Sequence, residues 1–123
     1  MPKQRKSLKS PRAKAFQRQD GRCFYCALPM WVDGPEAFAA RYKLTIGQTK
    51  NLKCTGEHLQ AKCDGGKDFG TNIVAACWLC NIRRHRRKKV MTPDKYGSFV
   101  KKRIRNGRWI SRDIALLSPQ NCE

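Results

Sequence analysis

Residues 54–87 read CTGEHLQAKCDGGKDFGTNIVAACWLCNIRRHRR, and the fold is decided in this stretch. Glu57 stands directly before His58, a Gly65-Gly66 pair follows, then an isolated Asn72, a Cys77-x-x-Cys80 pair, Asn81, and His85 four residues further on. Leu52 to Leu59 suit a short strand that ends on Glu57 and His58, whose side chains alternation sends to opposite faces. Asp64-Gly65-Gly66 supplies a turn, and Thr71 to Ala76 read as a second strand pairing back on the first. From Trp78 the period becomes helical: Trp78, Leu79 and Ile82 share one side, and Asn81, His85 and Lys88 share the adjoining face. Asn81 and His85 are at i and i+4, the spacing by which one helix offers two side chains to one ion. A carboxylate oxygen of Glu57 suits a hard divalent cation, while an imidazole kept off the metal, that of His58, can take a proton from water.

The chain has 123 residues, the size of one small domain whose modest core gains from external staples. It has seven cysteines, no apolar segment of secretory type after its basic start and no run of about 18 apolar residues. A reducing cytoplasm is therefore expected, where paired Cys-x-x-Cys spacings read as metal sites before disulfides. Cys23-Phe24-Tyr25-Cys26 and Cys77-x-x-Cys80, with 50 residues between them, are expected to place four thiolates on one structural Zn²⁺. Buried free thiols are the alternative. Cys54, His58 and Cys63 can also be written as a second zinc site, but it lacks a fourth ligand and would occupy the proton acceptor.

Net charge is +18, from 27 Lys and Arg against nine Asp and Glu, which points to a polyanion, nucleic acid first. Residues 1–10 read as a basic flexible arm, and residues 11–117 as one domain. Ser10-Pro11 suggests a helix start, with Phe16 as anchor and an end near Gly21; Asp33-Gly34-Pro35-Glu36 suggests another, and 45–53 a polar connection. Thr92-Pro93-Asp94 opens a helical extension over 92–117, with Tyr96, Phe99 and Ile104 inward and Lys95, Lys101, Lys102 and Arg105 outward. Ser111 reads as the cap of a last segment. A membrane partner is not expected, and Cys122 receives no role.

These residues resemble the HNH endonucleases of the ββα-metal (His-Me finger) fold. The resemblance rests on Glu57-His58, the Gly65-Gly66 turn, Asn72 fourteen residues after His58, and Asn81 nine residues after Asn72 with Cys77-x-x-Cys80 just before it. It covers residues 54–88 closely and Cys23-x-x-Cys26 more loosely. It implies an α+β fold, with a small ββα-metal core at about residues 52–89, flanking helices and a zinc-stapled double Cys-x-x-Cys. It further implies His58 as the general base, Glu57 and Asn81 as ligands of a catalytic metal, and Asn72 as the loop hydrogen-bonder that orients His58. His85 resembles the second helical histidine that colicin-type members use as a further ligand, and Arg84 stands where many members carry a basic residue.

Glu57 replaces the usual Asp, and Asn81 a frequent His. Such oxygen donors favour Mg²⁺ or Mn²⁺, while His85 would admit Ni²⁺, Co²⁺ or Zn²⁺. His85 also reads as one member of a phosphate-contacting run from Arg83 to Lys89. The implied reaction is hydrolysis of DNA phosphodiester bonds to 5′-phosphate and 3′-hydroxyl ends. Arg84 and Lys88 are expected nearest the reacting phosphate, and Arg83, Arg87, Lys101, Lys102 and Arg105 along the duplex backbone. The setting implied is a monomer or homodimer in a bacterial or phage-infected cytoplasm. The reading from a different class is a non-catalytic zinc module that binds nucleic acid, against which a carboxylate on the binding face argues, because it repels phosphate.

Overall fold

Val, Ile and Ala side chains at 73–77 suit a strand with both faces covered, and every residue of that strand is buried. In the structure, a computed structural model that describes residues 9–60, 65–67 and 72–118, it is β2 (Ile73–Cys77), antiparallel to β1 (Cys54–His58). The register pairs Cys54 with Cys77 at one end and His58 with Ile73 at the other. Helix α4 (Trp78–His85) follows without a break, giving the expected ββα order within an α+β chain. Residues 1–8 of the basic arm, together with Cys63, Asp64, Thr71 and Cys122, lie outside the described residues.

Around this hairpin stand α1 (Lys9–Arg18), α2 (Pro35–Tyr42), α3 (Ile46–Thr49), α5 (Pro93–Arg105) and α6 (Arg112–Ala115). Helix α1 crosses β2 through Ala15, fully buried, with Phe16 only partly so. The Gln19 side chain then completes the outer edge of β2: Oε1 accepts from the Ala75 N–H at 2.9 Å and Nε2 donates to the Ala75 carbonyl at 2.7 Å. An amide side chain thus replaces the neighbouring strand, so that buried backbone groups stay paired.

Three local expectations change. The helix around Ser10-Pro11 begins at Lys9, so Ser10 lies inside it. The 45–53 connection is helical, because Thr45 and Gln48 form a reciprocal capping box that starts α3, continued by a 3-10 turn at Lys50–Leu52. Ser111 precedes α6 but makes no side-chain cap, whereas Thr92 does cap α5 by accepting from the Lys95 N–H. Trp78 shares a helical side with Leu79 yet is 40% exposed, because α4 turns that position away from the core.

The core joins the hairpin to the first cysteine knuckle and to α5. Tyr25 and Tyr96, both fully buried, meet edge to face at 4.8 Å, and the Tyr96 hydroxyl donates to the Cys80 carbonyl at 2.7 Å. Among the described residues no helix is long and apolar enough to cross a membrane.

Candidate active site

Cys23, Cys26, Cys77 and Cys80 are buried, and their sulfurs lie within 4.8 Å of one another, a separation that four ligands of one tetrahedral ion can share. Backbone amides face the sulfurs: Tyr25 N–H and Cys77 N–H donate to Cys23 Sγ at 3.4 and 3.3 Å, and Cys80 N–H to Cys77 Sγ at 3.4 Å. The last contact also caps α4. Burial raises the thiols of Cys26 and Cys80 well above the ordinary range, helped by hydrogen bonds with Cys23. For Cys23 burial acts the same way, but the hydrogen bonds of Cys26, Cys77 and Cys80 outweigh it and hold this thiol well below that range. Such a set is suited to a soft dication that displaces protons, and the residues fit a structural zinc. Cys54 lies outside this cluster, the sole group of that kind among the described residues.

The hairpin carries the chemistry at its other end, about 13 Å away at ~3.3 Å per residue. Alternation holds as expected: Glu57 is buried, 2% exposed, and His58 half-buried. Glu57 Oε2 accepts from Arg84 Nη1 at 3.1 Å and from the Tyr25 hydroxyl at 3.2 Å. Its Oε1 lies 2.8 Å from His85 Nε2. The two are hydrogen-bonded, and since two ligand atoms at right angles, each about 2.1 Å from one ion, stand about 3 Å apart, the same pair could also share a divalent ion. Asn81, one turn before His85, donates through Nδ2 to Thr55 Oγ1 at 3.0 Å, which leaves Oδ1 as the atom it could offer to a metal. A hard oxygen pair with one imidazole fits a divalent ion such as Mg²⁺ or Mn²⁺.

Asn72 clamps the loop that follows His58. Its Oδ1 accepts from the Gln60 N–H at 2.8 Å, and Nδ2 donates to the carbonyls of Gln60 and Lys67 at 3.2 and 2.7 Å.

Residues 47–87 match the HNH endonuclease family. The HNH match spans α3, the hairpin and α4, and with them Glu57, His58, Asn72, Asn81, Arg84 and His85. Cys23, Tyr25 and Cys26 stand outside it. No curated protein and no solved structure matches the chain.

Two expectations about HNH residues are corrected. Arg84, expected at the reacting phosphate and along the duplex, is buried at 3% exposure. Its guanidinium donates to Glu57 and to the carbonyls of His58, Leu59 and Met91, all at 3.1–3.3 Å. It is a brace, with its donors turned inward. Lys88 was placed on the Asn81–His85 face by a helical wheel, but α4 ends at His85, so the wheel does not reach it; the residue is exposed. Arg83, Arg87, Lys102 and Arg105 are exposed and Lys101 is half-buried. Tyr25 was missed. Its signal was a phenol inside a Cys-x-x-Cys pair, beside an ordinary exposed Phe24.

Proposed function

We propose that the chain is a metal-dependent DNA endonuclease of HNH type with a structural zinc at Cys23, Cys26, Cys77 and Cys80. The observation that carries this is the carboxylate of Glu57, the residue directly before His58, held from behind by Tyr25 and Arg84 with its other oxygen meeting His85. Together with the HNH match and a net charge of +18, it supports hydrolysis of a phosphodiester.

His58 takes a proton from water as the water oxygen attacks phosphorus in line, the bond from phosphorus to the 3′ oxygen breaks, and that oxygen takes a proton from solvent. A divalent ion, Mg²⁺ or Mn²⁺ by its donors, would be held by Glu57, Asn81 and His85, and supplies positive charge to the phosphate and the leaving oxygen. Arg84 acts through Glu57: it fixes the carboxylate and, by gripping the His58 and Leu59 carbonyls, the backbone that carries the base. Asn72 fixes the same backbone from the loop side. The products carry 5′-phosphate and 3′-hydroxyl ends.

A plasmid-nicking assay with added Mg²⁺ or Mn²⁺, repeated on His58→Ala, tests this. Metal-dependent nicking lost in the variant is the expected outcome. Undiminished nicking by His58→Ala would remove His58 as base. No nicking by the wild type with any ion would favour a zinc-stapled binding module, in which Glu57, Arg84 and His85 form only a structural network.

A further inference from the structure

Arg83 lies two residues after Asn81, about 200° round α4 at 3.6 residues per turn, and so faces the opposite side, and Arg87 follows just beyond the end of that helix. There they line one cavity of about 310 Å³ together with Arg103 and Arg108. Its remaining wall is aromatic, from Tyr96, Phe99 and Trp109, and among the described residues no carboxylate lines it. Arg103 comes from the last turn of α5. Arg108 joins it because Gly107, at φ 68°, closes that helix, with the Arg108 N–H on the Arg103 carbonyl at 2.8 Å and the Gly107 N–H on the Ile104 carbonyl at 3.0 Å.

Three of the four guanidinium groups are held by ring faces. Those of Arg87 and Arg103 stand 5.0 and 5.2 Å from the Phe99 centroid, and that of Arg83 stands 4.7 Å from Trp109. Arg83 Nη1 also donates to the Trp109 carbonyl at 2.6 Å. The Trp109 indole N–H is enclosed and meets no acceptor among the described residues. Ring faces orient these cations but do not neutralise them, and four like charges round one cavity repel unless an anion enters. Guanidinium forks match phosphate oxygens in geometry as well as charge.

We propose that this pocket is a second phosphate site, which grips a backbone phosphate of the bound DNA on the far side of α4 from His58. The proposal rests on the reading of the chain as a DNA-acting protein. A helix with its side chains is about 10–12 Å across, so the phosphate held here is not the one that reacts. It adds Arg103 and Arg108 to the contacts and makes the pocket an anchor that carries no base sequence information.

The test is duplex binding by the His58→Ala chain as a function of salt, since a chelator that blocked cleavage would also attack the cysteine site. Arg103→Gln/Arg108→Gln should weaken binding to unrelated duplexes by the same factor, about tenfold, and lower the steepness of log Kd against log salt by about 0.9, one phosphate's worth. Lys14→Gln/Lys43→Gln, with the same charge change elsewhere, should leave the slope unaltered, and Arg103→Lys/Arg108→Lys should largely preserve it. Equal slopes for the wild-type pocket and the Gln pair, with both proteins unfolding at the same temperature, would overturn the site. So would submillimolar binding of inorganic phosphate that the Gln pair abolishes without changing the slope, which would make the pocket a site for the free anion. Absence of nicking by the wild type leaves these binding outcomes standing and touches only the nuclease reading.

Discussion

The Tyr25 hydroxyl donates to Glu57 Oε2 at 3.2 Å, so the knuckle that supplies two of the clustered cysteines also holds the carboxylate at the opposite end of the hairpin. Burial, and then the negative charge of Glu57, push this phenol far above its ordinary range, which keeps it protonated and a donor throughout. The cysteine cluster and the candidate catalytic site are therefore one mechanical unit, tied by this side chain through the core as well as by α4, which carries Cys80 beside Asn81 and His85.

Tyr25→Phe keeps the ring and removes that bond. A hydrogen bond to a charged group contributes about 1.5–3 kcal/mol, so denaturant unfolding should show a loss of that order. Zinc content should stay at the wild-type level while the Mg²⁺ or Mn²⁺ concentration for half-maximal nicking rises severalfold. An unchanged ion requirement would show that Tyr25 does not position Glu57.

Arg84→Met should cost about 3–5 kcal/mol, the usual result of leaving one partner of a buried ion pair alone. Arg84→Lys should rescue little, because one ammonium cannot serve Glu57 and the carbonyls of His58, Leu59 and Met91 at once. Urea midpoints measure both. If the Arg84→Met chain retains wild-type stability but loses one unit of salt slope in duplex binding, the guanidinium faces phosphate after all.

Zinc should be present at one ion per chain, and its removal should lower the melting temperature sharply, because binding and folding share one free energy. Cys26 and Cys80 hold their protons more tightly than ordinary thiols, so zinc uptake must release them and the apparent affinity should fall as pH falls. Competition with a coloured chelator across pH reads this directly. Cys54→Ser should keep the single ion; two tightly held ions per chain would instead implicate Cys54 and His58 as ligands and take the base away.

Burial pushes the Cys54 thiol up to about 11, against a smaller opposing pull from Arg12. A raised value means that the folded state favours the protonated thiol: the stabilisation is complete below the ordinary thiol value of about 8.5 and is lost as pH rises from there to about 11. Wild type should therefore lose stability across that alkaline window relative to Cys54→Ala. Parallel stability curves for the two would contradict it.

Much of the fold could be read locally. The hairpin, the start of α4 at Trp78 and the Thr92 cap each depend on a few neighbouring residues, and the spacing of the two Cys-x-x-Cys pairs is enough to announce a shared cluster. Arg84 could not be read that way. A helical wheel sends charge outward by default, and what turns this side chain inward is a set of acceptors from β1, the segment after it and Met91, which no single window contains. Lys88 failed for a related reason, since a wheel presumes that the helix continues. The pocket around Phe99 escaped notice because Arg103 sits in an apolar repeat and Arg108 is brought back only by the turn at Gly107.

Asn72 ties Gln60 at both its amide and its carbonyl, so the hairpin is closed at the root of its loop before the chain departs. The same Asn72 amide also reaches the Lys67 carbonyl, so the tie holds a point within the connection as well as its root. Lengthening a loop already closed at its base costs little, about 0.6 kcal/mol for each doubling. Residues added between Gln60 and Asn72 should therefore cost little and leave His58 in its place.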